Sequence, residues 1–104
     1  MNNMELVAFE IISNVGMGKS LAIEAIREAR KENYEVADSK IEEAKEFLLQ
    51  GHHAHADLIQ KEANGEKVEF SLIIMHAEDQ LISAETIKDL AIEIIEMHKD
   101  LKNK

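Results

Sequence analysis

Apolar residues return at alternating three- and four-residue steps through nearly the whole chain, and no proline interrupts them. That period lays side chains along one face of a helix, and nothing in the sequence forces a break in the hydrogen-bond ladder. The steps fall into three blocks. The first covers about residues 4 to 31, with Met4, Ala8, Ile11, Val15, Gly18, Ala22, Ala25 and Ala29 in register. The second covers about 34 to 63, through Ala37, Ile41, Ala44, Leu48, Gly51, His55 and Leu58. The third covers about 71 to 101, through Ile73, Ala77, Gln80, Ala84, Ile87, Ala91, Ile94, His98 and Leu101.

The gap at Glu32-Asn33 is short enough to make its flanking helices antiparallel neighbours. The second gap holds Asn64-Gly65, a helix stop signal, and ends at Ser71, a good N-cap. The expected fold is all-α: an antiparallel up-down-up three-helix bundle of the spectrin-repeat kind, one domain over residues 1–104. Each helix should be about 45 Å long at 1.5 Å per residue. Gly16 and Gly18 weaken the first helix by roughly 1 kcal/mol each relative to alanine. The run Ser13–Gly18 is therefore expected to be either a kink or a place where another backbone comes close.

A formal charge of −9 argues against binding a phosphate backbone or an anionic membrane. The start, Met1-Asn2-Asn3-Met4-Glu5, has no basic region before an apolar run, so neither a secretory signal nor a membrane-inserted helix is expected. With no cysteine there are no disulfides, thiolate metal sites or cysteine nucleophiles. A cytoplasmic location is the simplest expectation.

At about 100° per residue, the third block carries two apolar faces rather than one. With Leu72 at zero, the main face centres near about 90°, through Ile73, Gln80, Ile87, Ala91 and Leu101. A second, near about 310°, is formed by Leu72, Met75, Asp79, Ile82 and Thr86, and fades where Asp89, Glu93, Glu96 and Asp100 take over. A bundle monomer needs one such face per helix, so the second reads as a surface for self-association. His76 falls near about 40°, in the groove between the faces, Asp79 lies in the second face, and Glu78, near about 240°, should meet solvent. His55 and His98 read as structural residues. His52-His53-Ala54-His55 looks like a metal tract but lacks the i,i+4 histidine pair that puts two imidazoles on one ion. Glu42, Glu43 and Glu46 read as a solvated face.

Three segments resemble the lactose/cellobiose (and diacetylchitobiose) family of enzyme IIA proteins of the bacterial phosphoenolpyruvate:sugar phosphotransferase system. They are Asn14-Val15-Gly16-Met17-Gly18-Lys19-Ser20 with Glu24-Ala25, then Leu58-Ile59-Gln60-Lys61-Glu62-Ala63-Asn64-Gly65-Glu66, then Ser71 through Leu81. The family's site pattern is His-Ala-Gln-Asp-His-Leu-Met. This chain keeps His76, Ala77, Asp79 and Leu81, and has Glu78, Gln80 and Ile82 at the other positions. The resemblance implies that His76 accepts phosphate from the phosphocarrier protein HPr and passes it to a cysteine of a cognate IIB component, with IIC in the membrane recognising the sugar. It implies a homotrimer with Asp79 on the axis around a divalent cation, most simply Mg²⁺. Gln80, in place of a second histidine, keeps a hydrogen-bonding side chain to position phosphate or partner. A helical adaptor with incidental histidines is the rival reading. A two-component phosphotransfer module is a weaker one, because His76 is not followed by the Lys-Gly of that class.

Overall fold

Each helix ends where local chemistry ends it. The computed structural model describes residues 3–104, and its elements are α1 (Asn3–Arg30), α2 (Tyr34–Ala63) and α3 (Leu72–Lys102). Met1 and Asn2, which head the stretch read above for a signal, lie outside the described residues. α1 stops at a tight turn in which Glu32 takes a left-handed φ of 67° while its N–H reaches the carbonyl of Ala29 at 2.9 Å. α2 stops at Gly65, whose φ of 86° suits glycine; the Glu66 and Gly65 N–H groups cap the carbonyls of Lys61 and Glu62. α3 starts at Ser71, whose hydroxyl accepts the N–H of Ile74 at 3.3 Å. Both punctuation marks read from the sequence therefore act as expected.

The first helix runs without a break across Ser13–Gly18. The alternative is what holds: a Cβ on Gly18 would come within 2.8 Å of the Leu48 side chain and 3.2 Å of the Ala44 carbonyl. Gly51 plays the reciprocal part on α2, where an added Cβ would meet Val15 at 2.9 Å. Two small residues thus let α1 and α2 close on each other around Val15 and Leu48. By length and composition α1 could also cross a membrane, but here Ala8, Ile11, Val15, Ala22, Ala25 and Ala29 all face the bundle interior.

The stripe expected on α1 is buried from Ala8 onward, and that on α2 is buried apart from one position, where Ala54 points inward and His55 stands at the edge. α3 departs further. Its buried residues are Ile74, Ala77, Leu81, Ala84, Ala91 and Ile95, a face centred near about 150° rather than about 90°. Small residues at 77, 84 and 91 allow close approach, and that packing selects the face. Ile94 and Leu101, assigned above to the core, are 44% and 67% exposed. With Leu90 and Met97 they carry the outer apolar row on to the end of α3, so the second face turns gradually and does not fade.

Candidate functional site

His76 is the fifth residue of α3, one turn above the Ser71 cap. Its side chain is exposed, and among the described residues it has no hydrogen-bonding or ionic partner. Helical side chains lean toward the N-terminus, so a group carried on this imidazole lies over the first turn of α3. That end of the helix dipole favours an anion, by about 0.3–1 kcal/mol at an exposed position. Immediately around it the surface is apolar: Leu72 and Met75 precede it, both largely exposed, and Ile82 continues the row. Gln80 sits one turn on, half-buried, on the same flank as His76.

Asp79 is exposed within that outer row, as the phase of α3 requires. One exposed carboxylate per chain is too few ligands for a cation, and no group of three or more metal-binding side chains exists among the described residues. Asp79 fits a divalent ion only if copies of the chain bring several such carboxylates together.

Glu78 is not in free solvent as expected. It is half-buried on the flank facing α2, where its carboxylate lies against Nδ1 of His55. Two turns further along α3, Glu85 meets His52 Nε2 at 2.8 Å and Lys88 at 3.2 Å. Glu78 and Glu85 are seven residues apart on one flank of α3, and they reach His55 and His52, three residues apart on α2. That charge pattern was the available signal. It was missed because phase was counted on the third helix alone, without placing the second beside it. His52 and His55 therefore serve separate carboxylates, and His53 is exposed. His98 is tied off as well, with Nδ1 2.7 Å from the Tyr34 hydroxyl. Of the described histidines with a partner, every one is engaged in holding helices together. His76 is not.

Surface clefts lie elsewhere. One runs between α2 and α3 near Asp38, Ile41, Ile92 and Lys99, and another lies at the foot of α3 between Phe9, Ser71 and Ile73. His76 stands on an open helix face suited to a protein surface. A histidine nucleophile presented this way, with amide and apolar neighbours, can receive and release a phosphoryl group.

Residues 6–99 match the family described as the lactose/cellobiose-specific IIA subunit of the phosphotransferase system. The chain belongs to that family. It is 45% identical over 98 residues to the lichenan-specific phosphotransferase enzyme IIA component of Bacillus subtilis, covering 94% of this chain and 89% of that one. The crystal structure of the cellobiose-specific enzyme IIA of Bacillus anthracis superposes with a TM-score of 0.96 at 40% identity, over 100% of this chain and 95% of that one. The IIA(chitobiose) component of Escherichia coli, solved in complex with HPr, gives a TM-score of 0.84 at 28% identity, over 98% and 99%. This IIA chain is thus a phosphotransferase-system component with the three-helix fold of its family.

Proposed function

We propose that this chain is a phosphoryl carrier in sugar uptake, working in the cytoplasm with His76 as its only phosphorylated residue. A neutral imidazole nitrogen of His76 attacks the phosphorus of phospho-HPr. The new P–N bond forms as the bond to the HPr histidine breaks, leaving that imidazole to regain its proton. A cysteine thiolate of the IIB component then attacks the same phosphorus, and His76 is released. Such transfers have a loose transition state and depend on alignment and electrostatics, so an exposed, unencumbered nucleophile on a helix suits them. The observation that carries the reading is the setting of His76: like His53 it is exposed and without a partner among the described residues, but it stands beside the outer apolar row in the first turns of α3, whereas His52, His55 and His98 have structural partners. Solution of the E. coli relative with HPr supports the choice of donor.

Gln80, one turn above His76, is proposed to orient the phosphoryl group through its amide. The outer row of α3 is proposed to seat two further copies as a homotrimer, with the Asp79 carboxylates sharing a divalent cation, most simply Mg²⁺. Mutual repulsion of those carboxylates is what a cation would relieve. The names of the three relatives give three different sugars, so the family alone does not choose one.

Incubation with phosphoenolpyruvate, enzyme I and HPr tests the carrier role. One acid-labile phosphate per chain is expected, absent in His76→Ala with helical circular dichroism retained. Label that survives in His76→Ala rejects the assignment. Light scattering with and without EDTA tests the assembly, and a monomer at tens of micromolar with Mg²⁺ present rejects the Asp79 role.

A further inference from the structure

Three of the four glycines have a reason inside the chain. Gly18 and Gly51 let α1 and α2 close on each other, and Gly65 makes the left-handed turn after α2. Gly16 has no such reason. It lies in the middle of α1 with ordinary helical backbone, it is exposed, and an added Cβ would meet nothing within 4 Å. Alanine would fit there and is the better helix former, so α1 gives up stability for bare backbone that no other element touches.

The surroundings of Gly16 point to a use. Phe9, two turns earlier in the same row of α1, lines the cleft at the foot of α3 with Ser71 and Ile73. That row therefore follows the flank of α3 that carries Ile73, His76 and Gln80. An added Cβ on Gly51 would touch both Val15 and Leu81, which puts those two residues at one level of the bundle. With α1 and α3 parallel, Gly16 stands about 9 Å further along than His76 at 1.5 Å per residue. A protein covering about 800 Å² of this chain spans roughly 30 Å, so one seated on His76 over the α1–α3 groove covers Gly16 too. The outer row of α3 lies on the other side of His76, near about 310° against about 100° for Ile73. A second copy on that row approaches away from Gly16.

Three residues on, Lys19 lies on the same side of α1. Four lysines are half-buried among the described residues, and Lys40, Lys88 and Lys99 each hold a carboxylate. Lys19 holds none, and its ammonium reaches solvent. A solvated donor group beside bare backbone suits an acceptor oxygen brought by another molecule.

We propose that Gly16 and Lys19 are docking residues for the phosphoryl-donor protein: its backbone packs against α1 at Gly16, and one of its acceptor oxygens meets Lys19 while its phosphohistidine faces His76. This rests on the carrier reading of His76 and adds the ground on which the donor sits.

Full-length Gly16→Ala, Gly16→Leu and Lys19→Gln test it by rapid-quench labelling over a range of phospho-HPr concentrations, beside melting temperature and light scattering. The second-order rate constant should fall about threefold in Gly16→Ala and roughly tenfold or more in Gly16→Leu, with the rate at saturating donor within about twofold of the wild type. Gly16→Ala should melt higher than the wild type, so its slower labelling cannot come from unfolding. Lys19→Gln should lose about threefold at low salt and match the wild type at about 0.5 M NaCl. An unchanged second-order constant in Gly16→Leu or Lys19→Gln overturns the proposal, as does a loss that persists at saturating donor. A changed assembly state in Gly16→Leu also overturns it, giving the position to a second copy, and a deficit confined to transfer onward to IIB gives it to the acceptor. A wild type that takes no phosphate from phospho-HPr overturns the carrier reading instead, whereas a wrong docking surface leaves wild-type labelling intact.

Discussion

Between α1 and α2 the backbones approach over glycine, with Gly18 beneath Leu48 and Gly51 beneath Val15. Between α2 and α3 the meeting is made by the ends of long side chains: His52 with Glu85, His55 with Glu78, and Lys99 with Asp38 at 2.9 Å. The first seam excludes water and tolerates no change in volume. The second is half-wetted, and its partners can be exchanged one at a time. The chain thus keeps its closest packing between α1 and α2 and its ion pairs between α2 and α3, two of them on Glu78 and Glu85 in the half of α3 that carries His76. The two seams should answer mutation very differently.

The largest effect is expected at Leu48, which is 1% exposed and fills the space over Gly18. Leu48→Ala should destabilise the fold by about 3 kcal/mol, read as a lower urea midpoint with an unchanged slope. A loss below about 1 kcal/mol would show that the α1–α2 seam is looser than its geometry. Next come two glycines half a turn apart. Gly18→Ala forces a Cβ against Leu48 and the Ala44 carbonyl and should cost about 1 kcal/mol even after the gain in helix propensity. At Gly16 an added Cβ meets nothing within 4 Å, so Gly16→Ala should stabilise by about 0.5–1 kcal/mol. Equal signs for the two would dissolve the contrast.

The smallest effect belongs to the polar seam. Lys99→Met removes a partly exposed ion pair, so the loss at neutral pH should stay under about 1 kcal/mol. Its hydrogen bond to Asp38 raises the Lys99 pKa above the ordinary 10.5, against a smaller opposing effect of burial. A cation with a raised folded-state pKa stabilises fully below its unfolded value, and that contribution disappears as pH rises through the folded value. Wild type and Lys99→Met should therefore differ in denaturant midpoint at pH 8 and converge above about pH 11. A gap that persists at the alkaline end would assign the effect to packing of the lysine stem.

Helix number, direction and ends were legible because caps and stops are local chemistry: Asn64-Gly65 and Ser71 act within a turn of themselves. The α1 stripe was legible because polar and exposed residues flank it in phase. α3 was misread by about 60° because its apolar residues come in adjacent pairs, Ile73-Ile74 and Ile94-Ile95, and either member could serve the core. Only contact with the alanine positions of a neighbouring helix decides between them. At the site, Asp79 stands where phase put it, exposed in the outer row of α3, whereas His76, expected in a groove between two apolar faces, stands on an open helix face because the core face lies about 60° further round. Glu78 and His55 could not be paired from one helix at a time, since their contact depends on how α2 lies against α3.

The two ends of the rod, which measures 55 × 24 × 18 Å, are fastened unequally. At one end the last turns of α3 are clipped to the start of α2 and the turn before it, through His98 to Tyr34, Lys99 to Asp38 and Lys102 to Glu32. At the other, α3 begins after an irregular segment in which Phe70 is 83% exposed, and a single serine cap secures the first turn. Opening should therefore travel from the capped end inward, with backbone amides of residues 74–78 exchanging their protons with solvent sooner than those of 94–98. His76 would then ride on the part of α3 that breathes first, able to tilt toward one partner and then another while the clipped end keeps the bundle closed.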